Sequence, residues 1–163
     1  MRQEHASRIA SEPGNAERRN ILVVENDSAM RRLLRLHLKS AGYAVTLAED
    51  ATVAGRKLLK SPPDLIVADI NLPYMSGLEF AAILMADPSV PHVPIILVSA
   101  HEKFAARAEA LGADFILKPF SKAQLLETVV RSLQGRDRQK SGVAAPSAFA
   151  SEASSIGRSP PSS

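Results

Sequence analysis

The chain has 163 residues, 45% of them apolar and 23% charged, which is enough for one domain around a single core. It has no cysteine, excluding a disulfide framework and any thiol-based metal or redox site, and no apolar stretch of signal-peptide or membrane-spanning length, so a cytoplasmic protein that does not enter a membrane is expected. The formal net charge of +3 belongs to the ends: residues 20–134 hold 12 Lys and Arg against 12 Asp and Glu, so no nucleic-acid-binding surface is expected.

Residues 1–19 are polar with no apolar run and read as a disordered tail. The run Asn20 to Val24 is apolar, β-branched and of strand length, and Asp27-Ser28 then offers an N-cap to a helix over Met30 to Ala41. Met30, Leu33, Leu34 and Leu38 form its apolar face, Arg31, Arg32 and Arg35 a solvated one, and Gly42 stops it. A second strand is expected at Ala44 to Ala48 and a helix from Ala51 to Lys60, closed by Pro62-Pro63. Leu65 to Ala68 is the third strand, ending at Asp69, and Ser76-Gly-Leu-Glu79 is a capping box that opens the third helix. Pro94 to Val98 reads as the fourth strand, Phe104 to Leu111 as a helix stopped by Gly112, and Phe115 to Leu117 as the fifth strand. Ser121-Lys-Ala-Gln124 is a second capping box, and the helix behind it shows Leu125, Leu126, Val129, Val130 and Leu133 as its core stripe. Residues 135–163, rich in Ser, Ala and Pro, read as a second disordered tail, leaving 20–134 as the folded unit.

Five strands that are apolar throughout, alternating with five helices, imply a parallel sheet covered on both faces. Right-handed crossovers leave few topologies, and the common one for five such units is the flavodoxin-like, doubly wound α/β fold with strand order 2-1-3-4-5. Ligands of such sheets bind beyond the carboxyl ends of strands 1 and 3. Strand 1 ends in Glu25-Asn26-Asp27 and strand 3 in Asp69, and strands roughly 4.8 Å apart bring Glu25, Asn26 and Asp69 into one volume. Ser99 ends strand 4 and Lys118 ends strand 5. Carboxylate and amide oxygens suit a hard cation such as Mg2+, and a metal beside a carboxylate, a hydroxyl and an ammonium suits phosphoryl transfer, with Asp69 as a nucleophile that forms an acyl phosphate.

The segments Ile21 to Asp27, Asp64 to Gly77, Ile95 to Ala100 and Gly112 to Phe120 closely resemble, in order and spacing, the receiver domain of two-component response regulators. The resemblance implies a signalling domain rather than an enzyme. Asp69 would be a phosphoacceptor charged by a histidine kinase or a histidine phosphotransfer protein. Mg2+ would be held by Glu25, Asn26, Asp69 and the backbone carbonyl of Asn71. Ser99 and Lys118 would bind the phosphoryl group, Phe115 would be an aromatic switch, and the Lys118-Pro119 bond would be cis. The chain is expected to be a stand-alone receiver that signals to an output protein of unknown identity, with a homodimer through the fourth helix, fifth strand and fifth helix as one outlet.

One departure stands out. The family usually places two acids where this chain has Glu25-Asn26, which predicts weaker magnesium binding and leaves a pseudo-receiver, an interaction module with little or no phosphorylation, as the alternative. A haloacid-dehalogenase-type phosphatase is disfavoured because its general-acid position is occupied by Asn71.

Overall fold

A computed structural model describes residues 17–142. In chain order the elements are β1 (Asn20–Val24), α1 (Ser28–Ser40), β2 (Ala44–Ala48), α2 (Ala51–Lys60), β3 (Leu65–Asp69) and α3 (Gly77–Ala86). They continue with β4 (Ile95–Ser99), a single 3-10 turn (Glu102–Phe104), α4 (Ala105–Ala110), β5 (Asp114–Leu117) and α5 (Lys122–Lys140). All strand pairs are parallel and the order is β2-β1-β3-β4-β5, the doubly wound arrangement expected from the sequence.

The sheet is apolar on both faces because its side chains alternate between two helical layers. Leu22, Val24, Ile66, Ala68 and Leu97 pack toward α2, α3 and α4, whereas Ile21, Val23, Leu65, Val67, Ile96 and Val98 pack toward α1 and α5. Most of these are 0–2% exposed, and burying one such side chain stabilises the fold by about 1.5–3 kcal/mol. The alternation runs to the last residues of β3 and β4 and one residue past β1, so Glu25 and Asp69 follow the α1/α5 layer and Ser99 the α2/α3/α4 layer.

Helix boundaries follow their caps. The Asp27 side chain accepts the Met30 N–H at 2.7 Å, and the reciprocal capping boxes of Ser76/Glu79 and Ser121/Gln124 both form. Gly112 ends α4 at φ +74°, a conformation that a Cβ disfavours. Gly77 has a different reason. A Cβ there would lie 2.3 Å from the backbone oxygen of Asp69, so only glycine lets the start of α3 sit against the end of β3.

The structure departs from the sequence reading in three places. Leu33 and Val130, expected in the core, are 43% and 45% exposed, because the helices present Leu34 and Leu38, and Leu125, Val129 and Leu133, to the sheet. Second, α5 runs six residues past Gln134. That extension is polar but anchored, since Arg136 pairs with Asp64 at 3.0 Å and Asp137 with Arg19 at 2.9 Å, so charge partners continue what apolar burial no longer drives. Third, the helix expected over Phe104 to Leu111 is a 3-10 turn, Glu102–Phe104, followed by the short α4, Ala105–Ala110, whereas Asp69 and Ser99 end β3 and β4 as expected. The remaining terminal segments, 1–16 and 143–163, lie outside the described residues.

Candidate functional site

The carboxyl edge of the sheet gathers three buried or half-buried charges. Lys118 Nζ contacts Asp69 Oδ2 in a short ion pair and Glu25 Oε2 at 3.3 Å. Backbone bonds fix the groups from which these side chains project: the Ile70 N–H donates to the Val98 carbonyl at 2.9 Å and the Lys118 N–H to the Ser99 carbonyl at 2.8 Å, extending the ladders past the strand ends. The second carboxylate oxygens are engaged locally. Asp69 Oδ1 accepts the Asn71 N–H at 2.8 Å and Glu25 Oε1 accepts the Asp27 N–H at 3.0 Å. Each carboxylate is thus held by one amide of its own loop and shares one ammonium.

Electrostatics follow from that sharing. Burial pushes the Glu25 carboxyl above its ordinary range and Asp69 beside it adds to the rise, against the Asp27 N–H and Lys118, which lower it. For Lys118, burial alone would lower the pKa, but the hydrogen bond and charge of Asp69, with Glu25 behind them, outweigh it and hold the ammonium above its ordinary value. Two carboxylates against one ammonium leave the cluster one negative charge in excess, which disposes it to take up a cation.

Ser99 is 3% exposed, and its Oγ accepts the His101 N–H at 3.0 Å, leaving the hydroxyl proton free to donate elsewhere. Asn26 and Asn71 are exposed on the loops beside the two acids. Among the described residues no three His, Cys, Asp or Glu side chains meet as a metal cage. The oxygen donors at this edge are therefore two carboxylates supplemented by amide and carbonyl oxygens. Phe115 is half-buried on β5 against the α2/α3/α4 layer, and the Lys118-Pro119 peptide is cis.

Four contributors escaped the sequence reading. Arg31 is not simply part of a solvated face: it is half-buried, and its Nη1 donates to the Glu25 carbonyl at 2.6 Å and the Asn26 carbonyl at 3.3 Å, tying α1 to the acidic loop. His101, Lys103 and Arg107 line a cavity of about 590 Å3 together with Asp69, Ser99 and Lys118. Their spacing after the fourth strand, with Lys103 and Arg107 four residues apart, was a usable signal.

Among the described residues no helix is long and apolar enough to cross a membrane. A family model described as the response regulator receiver domain matches residues 21–130. The DNA-binding response regulator MtrA of Mycobacterium tuberculosis is 30% identical over 120 residues, 74% of this chain and 53% of MtrA, so the chain spans about half the length of the curated relatives it matches. The chemotaxis response regulator CheY4 of Vibrio cholerae superposes with a TM-score of 0.65 at 29% identity, covering 71% of this chain and 98% of CheY4. The signal receiver domain of a histidine kinase from Syntrophus aciditrophicus gives 0.67 at 31% identity, over 73% of this chain and 92% of that one.

Proposed function

The chain belongs to the response regulator receiver family, and from that premise we propose that Asp69 accepts a phosphoryl group from a phosphohistidine of a histidine kinase or histidine phosphotransfer protein. The observation that carries the reading is the bridge of Lys118 between Asp69 and Glu25 at the carboxyl edge of β1, β3 and β5. An Asp69 carboxylate oxygen attacks phosphorus, the O–P bond forms as the P–N bond breaks, and the departing electron pair goes to the imidazole nitrogen, which takes up a proton. Lys118 stays beside the acceptor and meets the new phosphoryl charge, and the free Ser99 proton donates to a phosphoryl oxygen.

The donor set fits Mg2+, which binds through one or two carboxylates and retains waters: Glu25, Asn26, Asp69 and the Asn71 carbonyl would hold it. When bound, Mg2+ supplies neutralisation of charge on the phosphoryl oxygens. Asn26 offers an amide where a carboxylate would add a charge, so affinity for the ion is expected to be modest.

The phosphoryl signal is read electrostatically. At an effective dielectric of about 20 a unit charge pair near 4 Å is worth roughly 4 kcal/mol, and a charge-assisted hydrogen bond from Ser99 adds about 1.5–3 kcal/mol. Reversing a 1:99 equilibrium takes roughly 5.5 kcal/mol, and Lys118 is already paired before phosphorylation, so the switch works with a narrow margin. Ser99 moving toward the phosphoryl group, with Phe115 following it, would bias the face of α4, β5 and α5, where Leu117 is 42% exposed, toward a protein partner or a second copy.

Beryllofluoride or acetyl phosphate with saturating magnesium should yield an adduct at Asp69, read by intact mass and peptide mapping and lost in Asp69→Asn. No adduct would overturn the reading. The second reading, an interaction module with little phosphorylation, is favoured by the amide at Asn26 and would then take its place.

A further inference from the structure

Among the described residues seven large apolar side chains are exposed, and three of them, Leu59, Tyr74 and Ile83, belong to α2, α3 and the loop that leads into α3. Between the two helices runs a groove of about 240 Å3 walled by Leu58, Leu59, Met75, Phe80, Ile83 and Leu84. It is smaller than the roughly 300–1,000 Å3 of a small-molecule site and suits a single side chain.

Tyr74 is 97% exposed and holds φ at +67°, a left-handed backbone that its Cβ disfavours and that no packing of its own ring offsets. It directly precedes Met75, which lines the groove at the carboxyl edge of the sheet, yet its ring stays outside. An aromatic side chain without a pocket, beside a pocket without an occupant, is what a self-complementary contact between two copies requires.

Charge selects how two copies meet. Helix α2 carries Arg56, Lys57 and Lys60 and no acid, whereas α3 and its C-cap carry Glu79 and Asp87 and no base. Lys57 is turned to the sheet edge, where its Nζ donates to the Leu47 carbonyl. Arg56, Lys60, Glu79 and Asp87 are exposed, and none of them forms an ion pair within 4 Å among the described residues. The other charged or titratable groups around this face are Glu49 and the N-cap Asp50 before α2, Arg107 of α4 beside Glu79, and His92, which shares a cavity with Asp87. The cations of α2 thus lie toward its C-terminal end, and so does Asp87 on α3. A two-fold axis parallel to the helices lays α2 of one copy on α3 of the other and keeps every residue at its own height, so Lys60 faces Asp87 and Arg56 faces Glu79. An axis across the helices would instead set the cations of α2 against themselves. The favoured arrangement carries Tyr74 to the end of the opposite groove lined by Thr52 and Gly55. Gly55 leaves room there, with nothing within 4 Å of a Cβ, and Thr52 offers a hydroxyl to the phenol.

We infer that the α2/α3 face is a docking surface for a second copy of this chain, with Tyr74 of each copy seated in the groove of the other. Two ten-residue helices, each about 15 Å long and roughly 10 Å apart, present about 300 Å2 per copy, well below the roughly 800 Å2 per partner of a stable complex. The dimer is therefore transient, with a dissociation constant on the order of 100 µM. It uses no residue of the Asp69 cluster and forms in chelator without a phosphodonor.

The test is sedimentation equilibrium of the full chain from about 10 µM to about 1 mM at low ionic strength. Tyr74→Gly, which relieves the backbone and keeps the fold, should weaken association about tenfold or more. Arg56→Gln/Lys60→Gln should weaken it about fivefold, with the difference from wild type shrinking at high salt. The control Leu36→Gln, which removes an exposed apolar side chain from α1, should leave it unchanged. Amide resonances that shift with wild-type concentration should map to residues 52–59 and 74–84. A monomer at the highest concentration, association that survives Tyr74→Gly, or association lost in Leu36→Gln would each overturn the inference. Shifts confined to residues 114–130 would overturn it too, by moving the contact to α4, β5 and α5.

Discussion

Replacing Lys118 by Met removes the ammonium but keeps most of the stem, and leaves Glu25 and Asp69 facing each other with side chains 3% and 8% exposed. Removing one partner of a buried ion pair costs about 3–5 kcal/mol. A bound on the loss follows from protonation, since the stranded pair can relieve itself by Glu25 taking up a proton. Holding an ordinary glutamate, pKa about 4.3, protonated at pH 7 costs about 3.7 kcal/mol at about 1.4 kcal/mol per unit, so the deficit at neutral pH should lie near 3–4 kcal/mol. The sign of its pH dependence is set by Glu25, whose pKa in the folded state is already raised by burial and by Asp69 and which loses in Lys118 one of the two influences that lower it. A raised folded pKa means that the folded state binds more protons than the unfolded, so stability falls as pH rises from the unfolded value through the folded one. Urea unfolding in chelator, at pH 4.5, 6 and 7.5, should therefore show a deficit of about 1 kcal/mol at the lowest pH that grows to its full value at the highest. A deficit independent of pH, or none at pH 7.5, would refute the view that Lys118 holds two buried carboxylates together.

In the wild type the raised pKa of Lys118 predicts that its stabilising contribution is complete below about pH 10.4 and is lost only as pH rises through the higher folded value, which alkaline unfolding titrations will show. Gly77→Ala should destabilise by about 1–3 kcal/mol, because its Cβ meets the Asp69 carbonyl, whereas Gly55→Ala, with nothing within 4 Å, should stabilise by about 0.5–1 kcal/mol in the same urea assay. Tyr74, 97% exposed at φ +67°, holds a left-handed conformation beside the site, and Tyr74→Gly should raise the unfolding midpoint by the equivalent of roughly 1 kcal/mol. Asn26→Asp should tighten magnesium binding in a calorimetric titration, and unchanged affinity would remove that side chain from the metal site.

Much of the fold was legible because its causes are local. Continuous apolar strands, two capping boxes and glycines after helices each act within a few residues, and five alternating units leave few ways to wind a parallel sheet. Asp69, Ser99 and Lys118 could be placed at one edge from strand ends alone, since in a parallel sheet all carboxyl ends lie on the same side.

What only the tertiary structure decided depends on rotation and reach. Leu33 and Val130 satisfy the helical period yet turn outward, since the sheet below each helix accepts a narrower stripe than the sequence offers. Arg31 looked like one of three solvent-facing arginines until the acidic loop supplied two carbonyls for it, and Arg136 continued α5 because Asp64, 72 residues away, was within 3.0 Å. The sharing of Lys118 between Glu25 and Asp69 is likewise a property of distance. The sequence by itself determined the sheet, its winding and the edge at which the acids gather, because short-range periodicity and chain handedness govern those. Which charges touch was settled only when residues as far apart in the chain as Glu25 and Lys118, 93 positions, or Arg19 and Asp137, 118 positions, came within 3.3 Å of one another, since Coulombic coupling is set by distance and burial, which the linear order does not contain.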